Sequence, residues 1–419
     1  MVDISHEVSL ACARARAASR VLATRPREDK DAALRAMARL LGEQAPRILE
    51  ANARDVAAAR DAGVTGAMLD RLALDQPRLA AVADAVLQIA AQDDPVGEVL
   101  ERTTRPNGLL VERVRVPIGV LAMIYEARPN VTVEASALCV KAGNAVVLRG
   151  GSEASHSNAA LAIVVGDALE ASGLPRDAVQ VLPFTDRDAV RALVQSDVDL
   201  AIPRGGEALI RFVTEHARVP VVQHYKGVCH LFVDAGADVA MATRLAVNGK
   251  LSRPGVCNAL ECLLVDAGEA PRLLPPIAEA LLAGGCELRG CERTRALLQD
   301  PRVRAAGDDD WGREFLDRVL AIRLVDGLDA ALAHVTRYGS GHTEAICTKD
   351  PAHAARWRHE VDAACVVVNA STRFHDGGEL GLGAELGIAT SRLHWRGPMG
   401  TAALTTMKWV VVGEGQIRG

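Results

Sequence analysis

The chain has no apolar run long enough to cross a bilayer, no excess of positive charge and no tightly spaced cysteine pair. Spanning a membrane takes about 18 uncharged apolar residues, and no stretch reaches that length, so no membrane association is expected. Basic residues number 48 against 53 acidic ones, for a net charge of -5. That balance gives no field for nucleic acid and no polybasic patch for lipid headgroups. The first residues, Met1-Val-Asp-Ile-Ser-His-Glu7, carry acids and no apolar segment, so no secretory signal is read there. Nine cysteines, an odd number without small-scaffold spacing, point to reduced thiols in a cytoplasmic compartment. The pairs Cys257/Cys262 and Cys286/Cys291 each enclose four residues, and His334 and His342 stand eight apart across a Gly-Ser-Gly break. Neither spacing is that of a zinc knuckle or a helical zinc pair, so no metal is expected. Internal repeats, low-complexity tracts and the G-x-G-x-x-G dinucleotide fingerprint are also missing.

What is present divides the chain. At 419 residues it exceeds one ordinary core, and two or three domains are expected. Residues 1–93 are rich in Ala, Leu and Arg at helical spacing, with a stop at Gly63 and a close at Asp94-Pro95. From about 109, strand-length apolar runs at 119–125, 145–148, 179–182, 198–202 and 219–223 alternate with helical patterns at 157–171, 188–195 and 207–216. A second series follows, with strands at 230–233, 259–265, 320–325, 344–347 and 365–369 and helices at 239–248, 272–283, 328–335 and 352–358. Such alternation predicts parallel sheets with crossover helices, hence two α/β domains with a border near 225–230. Residues 301–312 and 377–400 read as loops, and 405–412 as a final strand.

The most informative stretch is Lys250-Leu-Ser-Arg253-Pro-Gly-Val-Cys257, a cysteine after a Pro-Gly turn, behind two cations and ahead of an apolar strand. Nearby positive charge favours the nucleophilic thiolate, although a buried structural cysteine fits the same local pattern. Two turns follow strands and open helices, Arg149-Gly150-Gly-Ser152 and Arg204-Gly205-Gly206. Each suits phosphate at a helix N-terminus, and each equally suits glycine used only for its conformation. In Tyr125-Glu-Ala-Arg-Pro-Asn130 a side-chain amide ends a strand, where it can face an oxyanion or merely make a turn.

Four stretches taken together resemble the γ-glutamyl phosphate reductases, a family of the aldehyde dehydrogenase superfamily. They are Tyr125 to Asn130, Arg253-Pro-Gly-Val-Cys257-Asn, the run from Val325 to Ile346 containing Tyr-Gly-Ser-x-His-Thr-Glu, and Val368-Asn-Ala-Ser-Thr-Arg-Phe-His-Asp-Gly-Gly onward to Gly387. The resemblance spans about 110 to 412 and implies an α/β, aldehyde dehydrogenase-like fold of two parallel-sheet domains plus a β oligomerisation arm. Its implied boundaries are an NADP-binding domain over 1–105 and 126–228, returning near 361–383, a catalytic domain over 229–360, and an arm over 106–125 and 384–419. The arm segment would pair with the C-terminal strand near 403–413. By position, Cys257 matches the nucleophile, Asn130 the oxyanion amide, Arg149 the adenosine-ribose contact, and Glu314 the nicotinamide-ribose contact. Gly205 and Gly206 match the pyrophosphate turn, and Gly150 with Ser152 belongs to the ribose turn.

The implied reaction is NADPH-dependent reduction of L-glutamyl 5-phosphate to L-glutamate 5-semialdehyde and phosphate through a cysteine thioester, the second step of proline biosynthesis. Lys250, Arg253 and Arg373 are candidates for the substrate phosphate and carboxylate, and solvated surface cations is the other reading of each. Aldehyde-oxidising relatives carry a general-base glutamate, whereas Gln223-His-Tyr-Lys-Gly-Val-Cys-His230 has no acid. That absence suits a thioester that is reduced or released to phosphate rather than hydrolysed. Ser152, where NAD-using members often place a glutamate, favours NADPH over NADH, with Glu153 one residue on as the complication. A small-molecule substrate, a homo-oligomer and a transient contact with glutamate 5-kinase are the partners this implies. Two other readings remain: a cysteine acyltransferase using His224 or His342, and a non-catalytic nucleotide-binding scaffold.

Overall fold

The computed structural model describes residues 3–222 and 226–418, which form two compact units. The first comprises 1–223, 381–387 and 399–419, and the second 224–380 and 388–398. None of the described helices is long and apolar enough to cross a membrane.

The first unit opens with helices because its apolar residues recur three and four apart. In Ile4–Leu22 the stripe Val8, Ala11, Cys12, Ala15, Ala18, Leu22 is buried, and the Asp3 side chain caps the helix by accepting from the His6 N–H. Arg27–Glu43, Ala45–Asp61, Gly66–Leu72 and Gln76–Ala91 follow. The parallel sheet runs Val179–Val181, Ala145–Gly150, Val120–Tyr125, Leu200–Arg204 in spatial order. Its two central strands are buried throughout, as the unbroken apolar runs of a doubly covered sheet require. Apart from it lies an antiparallel sheet of Val99–Thr104, Leu110–Pro117 and Thr405–Val412, registered from Thr405 opposite Pro117 to Val412 opposite Leu110.

The second unit is a seven-stranded parallel sheet, in the order Val303–Ala305, Glu287–Gly290, Val319–Val325, Leu260–Asp266, Cys229–Val233, Thr343–Cys347, Cys365–Val368. Helices Val239–Leu251 and Ala270–Ala283 cover one face, packing Ala242, Leu274 and Ile277 onto Leu231, Leu263 and Ile322. Gly327–Tyr338 and Pro351–Glu360 cover the other, through Leu328, Ala331, Val335 and Trp357 on Phe232, Leu264 and Ile346.

Several boundaries differ from the sequence reading. The arm stops at Pro117, because Gly119 at φ +131° and its N–H bond to the Asn144 Oδ1 turn the chain into the parallel sheet. Residues 361–383 do not simply return to the first unit: Cys365–Val368 pairs with Thr343–Cys347 in the second unit's sheet, and only 381–387 rejoin the first. Within 384–419, the short hairpin Ile388–Ala389 with Gly397–Pro398 also belongs to the second unit. Of the strand expected at 219–223, Val221 makes one parallel bridge to Ala201, while Gln223, His224 and Tyr225 lie outside the described residues. The reading missed helix Asn130–Lys141, whose residues are buried on all sides and so show no amphipathic period. It also missed the short strands Glu287–Gly290 and Val303–Ala305, the latter inside the expected loop 301–312.

Candidate functional site

In the second unit, Cys257 sits between the end of helix Val239–Leu251 and the start of strand Leu260–Asp266, in the turn made by Pro254 and Gly255. It is half-buried. Burial pushes up the thiols of Cys12, Cys139, Cys229, Cys286, Cys347 and Cys365, which disfavours each as a thiolate nucleophile. Around Cys257 the backbone is held tightly. Its carbonyl accepts from the Cys229 Sγ at 3.2 Å. Gly227 packs so closely that a Cβ there would overlap the Cys257 carbonyl, so only glycine fits. The Gly227 N–H donates to Glu314 Oε1 at 3.0 Å, which brings Glu314 to within one residue's reach of the cysteine.

Asn258 closes the other side. Its Nδ2 donates to the His375 carbonyl at 3.0 Å and the Arg373 carbonyl at 3.4 Å, fixing the 3₁₀ turn Thr372–Phe374 beside the nucleophile. Burial lowers the Arg373 guanidinium, Arg253 repels it in the same direction, and Asp376 and the Cys257 sulfur oppose them. Cys257, Glu314, Arg373 and the exposed Arg253 are therefore brought together. Lys250 is not: its ammonium is fully buried, 2.6 Å from the equally buried Glu261. Burial pushes Glu261 up to about 7 against the pull of Lys250. A cation so enclosed is a structural partner of Glu261 rather than a docking point for substrate, which corrects the surface-cation reading.

His342 is buried, with Nδ1 2.7 Å from the Thr343 hydroxyl and 3.7 Å from the Cys229 sulfur, so its ring is directed at Cys229. The acyltransferase reading needs an imidazole on Cys257 itself. Its other candidate, His224, lies outside the described residues.

In the first unit, the loops after three parallel strands converge. Asn130 opens helix Asn130–Lys141, and its Nδ2 donates to Glu134 Oε1 at 3.0 Å. Burial holds Glu134 above the usual carboxylate range, and the hydrogen bond from the Asn130 amide pulls it the other way. One amide hydrogen is used and one is left to give. Arg149 ends the strand Ala145–Gly150 and donates through Nη2 to the Thr185 and Asp186 carbonyls. Gly150 is required by packing, since a Cβ there would collide with the Asn158 amide. Ser152 is exposed at the start of the 3₁₀ turn Ser152–Ala154.

Two carboxylates, Glu126, passed over in the sequence, and Glu153, weighed there only as a complication for cofactor choice, sit on main-chain N–H groups of these loops. Glu126 Oε2 accepts from the Gly206 N–H at 2.9 Å, at the mouth of helix Glu207–His216 beside Gly205. Glu153 Oε1 accepts from the Ala127 N–H at 2.6 Å, which directs it to the strand-end loop. Each stands where an anion would be received. These residues fit a dinucleotide, whose phosphates would take over the Gly206 N–H and whose adenosine ribose would lie at the Arg149–Ser152 turn.

Comparison with known proteins agrees with this architecture. The aldehyde dehydrogenase family model matches residues 4–284, which sets the class. A γ-glutamyl phosphate reductase of Sorangium cellulosum is 59% identical over 100% of this chain and 99% of its own length, and one of Xanthomonas campestris is 58% identical over 96% and 97%. The crystal structure of the γ-glutamyl phosphate reductase from Thermotoga maritima superposes with a TM-score of 0.96 at 44% identity, covering 99% of this chain and all of that one. At these identities the chain belongs to the γ-glutamyl phosphate reductase family.

Proposed function

We propose that this protein reduces L-glutamyl 5-phosphate to L-glutamate 5-semialdehyde with NADPH, as the second step of proline biosynthesis from glutamate. The names its relatives carry support the substrate. The observation that carries the chemistry is the Cys257 turn, a half-buried thiol whose backbone is clamped by Gly227 and Asn258 with Glu314 and Arg373 beside it.

The Cys257 thiolate attacks the acyl phosphate carbonyl, and the resulting oxyanion accepts from the Cys257 N–H; by its resemblance to the family, Asn130 is the residue whose amide serves as a further oxyanion donor. The oxyanion collapses, the C–O bond to phosphate breaks, and inorganic phosphate leaves a thioester. Bound NADPH, its nicotinamide ribose held by Glu314, would supply the hydride that reduces this thioester. The thiohemiacetal oxyanion then reforms a carbonyl, expelling the thiolate and releasing the semialdehyde. Arg253 and Arg373 hold the phosphate and the α-carboxylate by charge-assisted hydrogen bonds, and Glu314 takes the nicotinamide ribose.

The arm strand Thr405–Val412, an edge strand with Trp409 61% and Val411 57% exposed, supports assembly into a homo-oligomer. Mixing the protein with glutamate semialdehyde, phosphate and NADP+ and following the reduced-nicotinamide absorbance tests the activity. A rise that needs all three components is expected; none, or a rise without phosphate, overturns the reading.

A further inference from the structure

On the sheet face under helix Gly327–Tyr338, polar side chains stand where the core would otherwise be apolar. Glu344, His230 and Cys262 lie opposite one another on three adjacent strands, and the helix lowers His334 onto them. All four are at least 95% buried. Cys262 Sγ is 3.7 Å from His334 Nε2, and one ligand-capable atom from each of His230, Cys262 and His334 lies within 4.8 Å of the others. Glu344 Oε2 is 2.9 Å from His230 Nδ1 and also accepts the His230 backbone N–H at 3.2 Å. A carboxylate there holds the proton on Nδ1 and turns Nε2 toward the cluster, where it is buried against the Cys262 sulfur without a well-formed hydrogen bond. Leaving such an atom unsatisfied is costly.

We propose that His230, Cys262 and His334 bind a divalent transition-metal ion of the zinc class, with Glu344 as the carboxylate that orients His230. One thiolate and two imidazoles are a zinc-type donor set, and a carboxylate on the far nitrogen of a ligating histidine is the usual outer support. Ideal bond lengths put such ligand atoms about 3.5 Å apart, so the cluster closes by roughly 1 Å. His334 alone of the three lines a pocket of about 470 Å³, with Cys291, Arg323, Arg337 and Tyr338, which gives an approach to the cluster from the outer side of this ring.

Metal binding has to displace protons from this cluster. His230 coordinates through Nε2 and keeps the proton on Nδ1, where Glu344 accepts it at 2.9 Å. Cys262 gives up its thiol proton. His334 coordinates through Nε2, the nitrogen that faces the Cys262 sulfur at 3.7 Å. Arg323 Nη1 donates to His334 Nδ1 at 3.3 Å, so Nε2 carries the ring proton. Coordination moves that proton to Nδ1 and frees Arg323 to turn into the pocket. The ligands come from elements far apart in the chain, which is why spacing alone gave no metal site. Cys257 takes no part.

The test titrates chelator-treated full-length protein with cobalt(II). One ion per chain is expected, with a thiolate-to-cobalt charge-transfer band that survives Cys257→Ser and is lost in Cys262→Ala and His334→Ala. Glu344→Gln should weaken binding about 10–100-fold, and Arg323→Ala should bind at least as tightly as wild type. X-ray absorption on the wild-type complex should count one sulfur and two imidazole nitrogens, a measurement that does not depend on core variants able to fold. Absence of the band in wild type, its loss with Cys257 rather than Cys262, or a different ligand count would overturn the proposal.

Discussion

Replacing Lys250 with Met separates the two roles this lysine could have. Lys250 Nζ and Glu261 Oε2 are 2.6 Å apart with both side chains fully buried, so the substitution strands a buried carboxylate. What remains to it is the backbone N–H groups of Leu316, at a long 3.3 Å, and Phe315. Breaking a buried pair from one side costs about 3–5 kcal/mol. At about 2–4 °C per kcal/mol for a unit of 150–250 residues, the second unit's calorimetric transition should fall by about 6–20 °C. The loss should depend on pH. Burial raises Glu261 from its ordinary 4.5 to about 7, so the folded chain binds this proton more tightly than the unfolded one. Stability from this group is therefore full below about 4.5 and declines as pH rises through 7. Without the Lys250 charge the carboxyl rises further, so the variant should lose most at pH 8 and least near pH 5. Lys250→Met with Glu261→Leu removes both charges and should recover most of the loss. An unchanged transition at pH 8, together with a KM for the acyl phosphate raised tenfold or more, would refute the structural role and return Lys250 to the substrate.

Cys257→Ser should abolish hydride transfer while NADPH still quenches intrinsic fluorescence at wild-type concentrations, because an alcohol does not ionise like the thiol; retained turnover counts against the nucleophile. With no deacylating base, semialdehyde oxidation should need phosphate or arsenate, and steady production of glutamate in their absence would contradict the mechanism. Ser152→Glu should move kcat/KM toward NADH. Arg149→Ala should weaken NADPH more than NADH, and it should also lower the first unit's melting temperature because two backbone carbonyls lose their donor; equal wild-type kcat/KM for both cofactors would show that this turn does not read the 2′ position. Glu134→Ala frees the Asn130 amide to rotate and should lower kcat by up to the roughly 10²–10³-fold expected for a lost oxyanion donor, with KM nearly unchanged; an unaltered kcat would leave Glu134 no positioning role.

The sequence carried the fold well wherever burial was one-sided or continuous along a strand. Alternating strands and helices from 119 to 369 were legible because parallel sheets write their strands as apolar runs separated by amphipathic helices. Helix Asn130–Lys141 was not, because a segment buried all round has no polar face to betray its period. The site divided along the same physical line. Cys257 and Arg373 were legible as candidates from motif and charge, since a turn and a cation are local properties. What Lys250 does depends on Glu261, a residue on the following strand, and nothing in a string of cations says which one is turned inward. Glu126 escaped notice, and Glu153 was weighed only for cofactor choice, for a related reason. Acids in loops look like solvent-exposed charge, and only the fold reveals that each carboxylate is seated on a main-chain N–H, that of Gly206 and that of Ala127. Those two bonds bear on function. If dinucleotide phosphate is to reach the Gly206 N–H, the Glu126 carboxylate must move off it, so cofactor affinity contains the cost of that displacement. Reading a motif from sequence identifies groups able to bind; the apo chain's own anions decide how tightly they do.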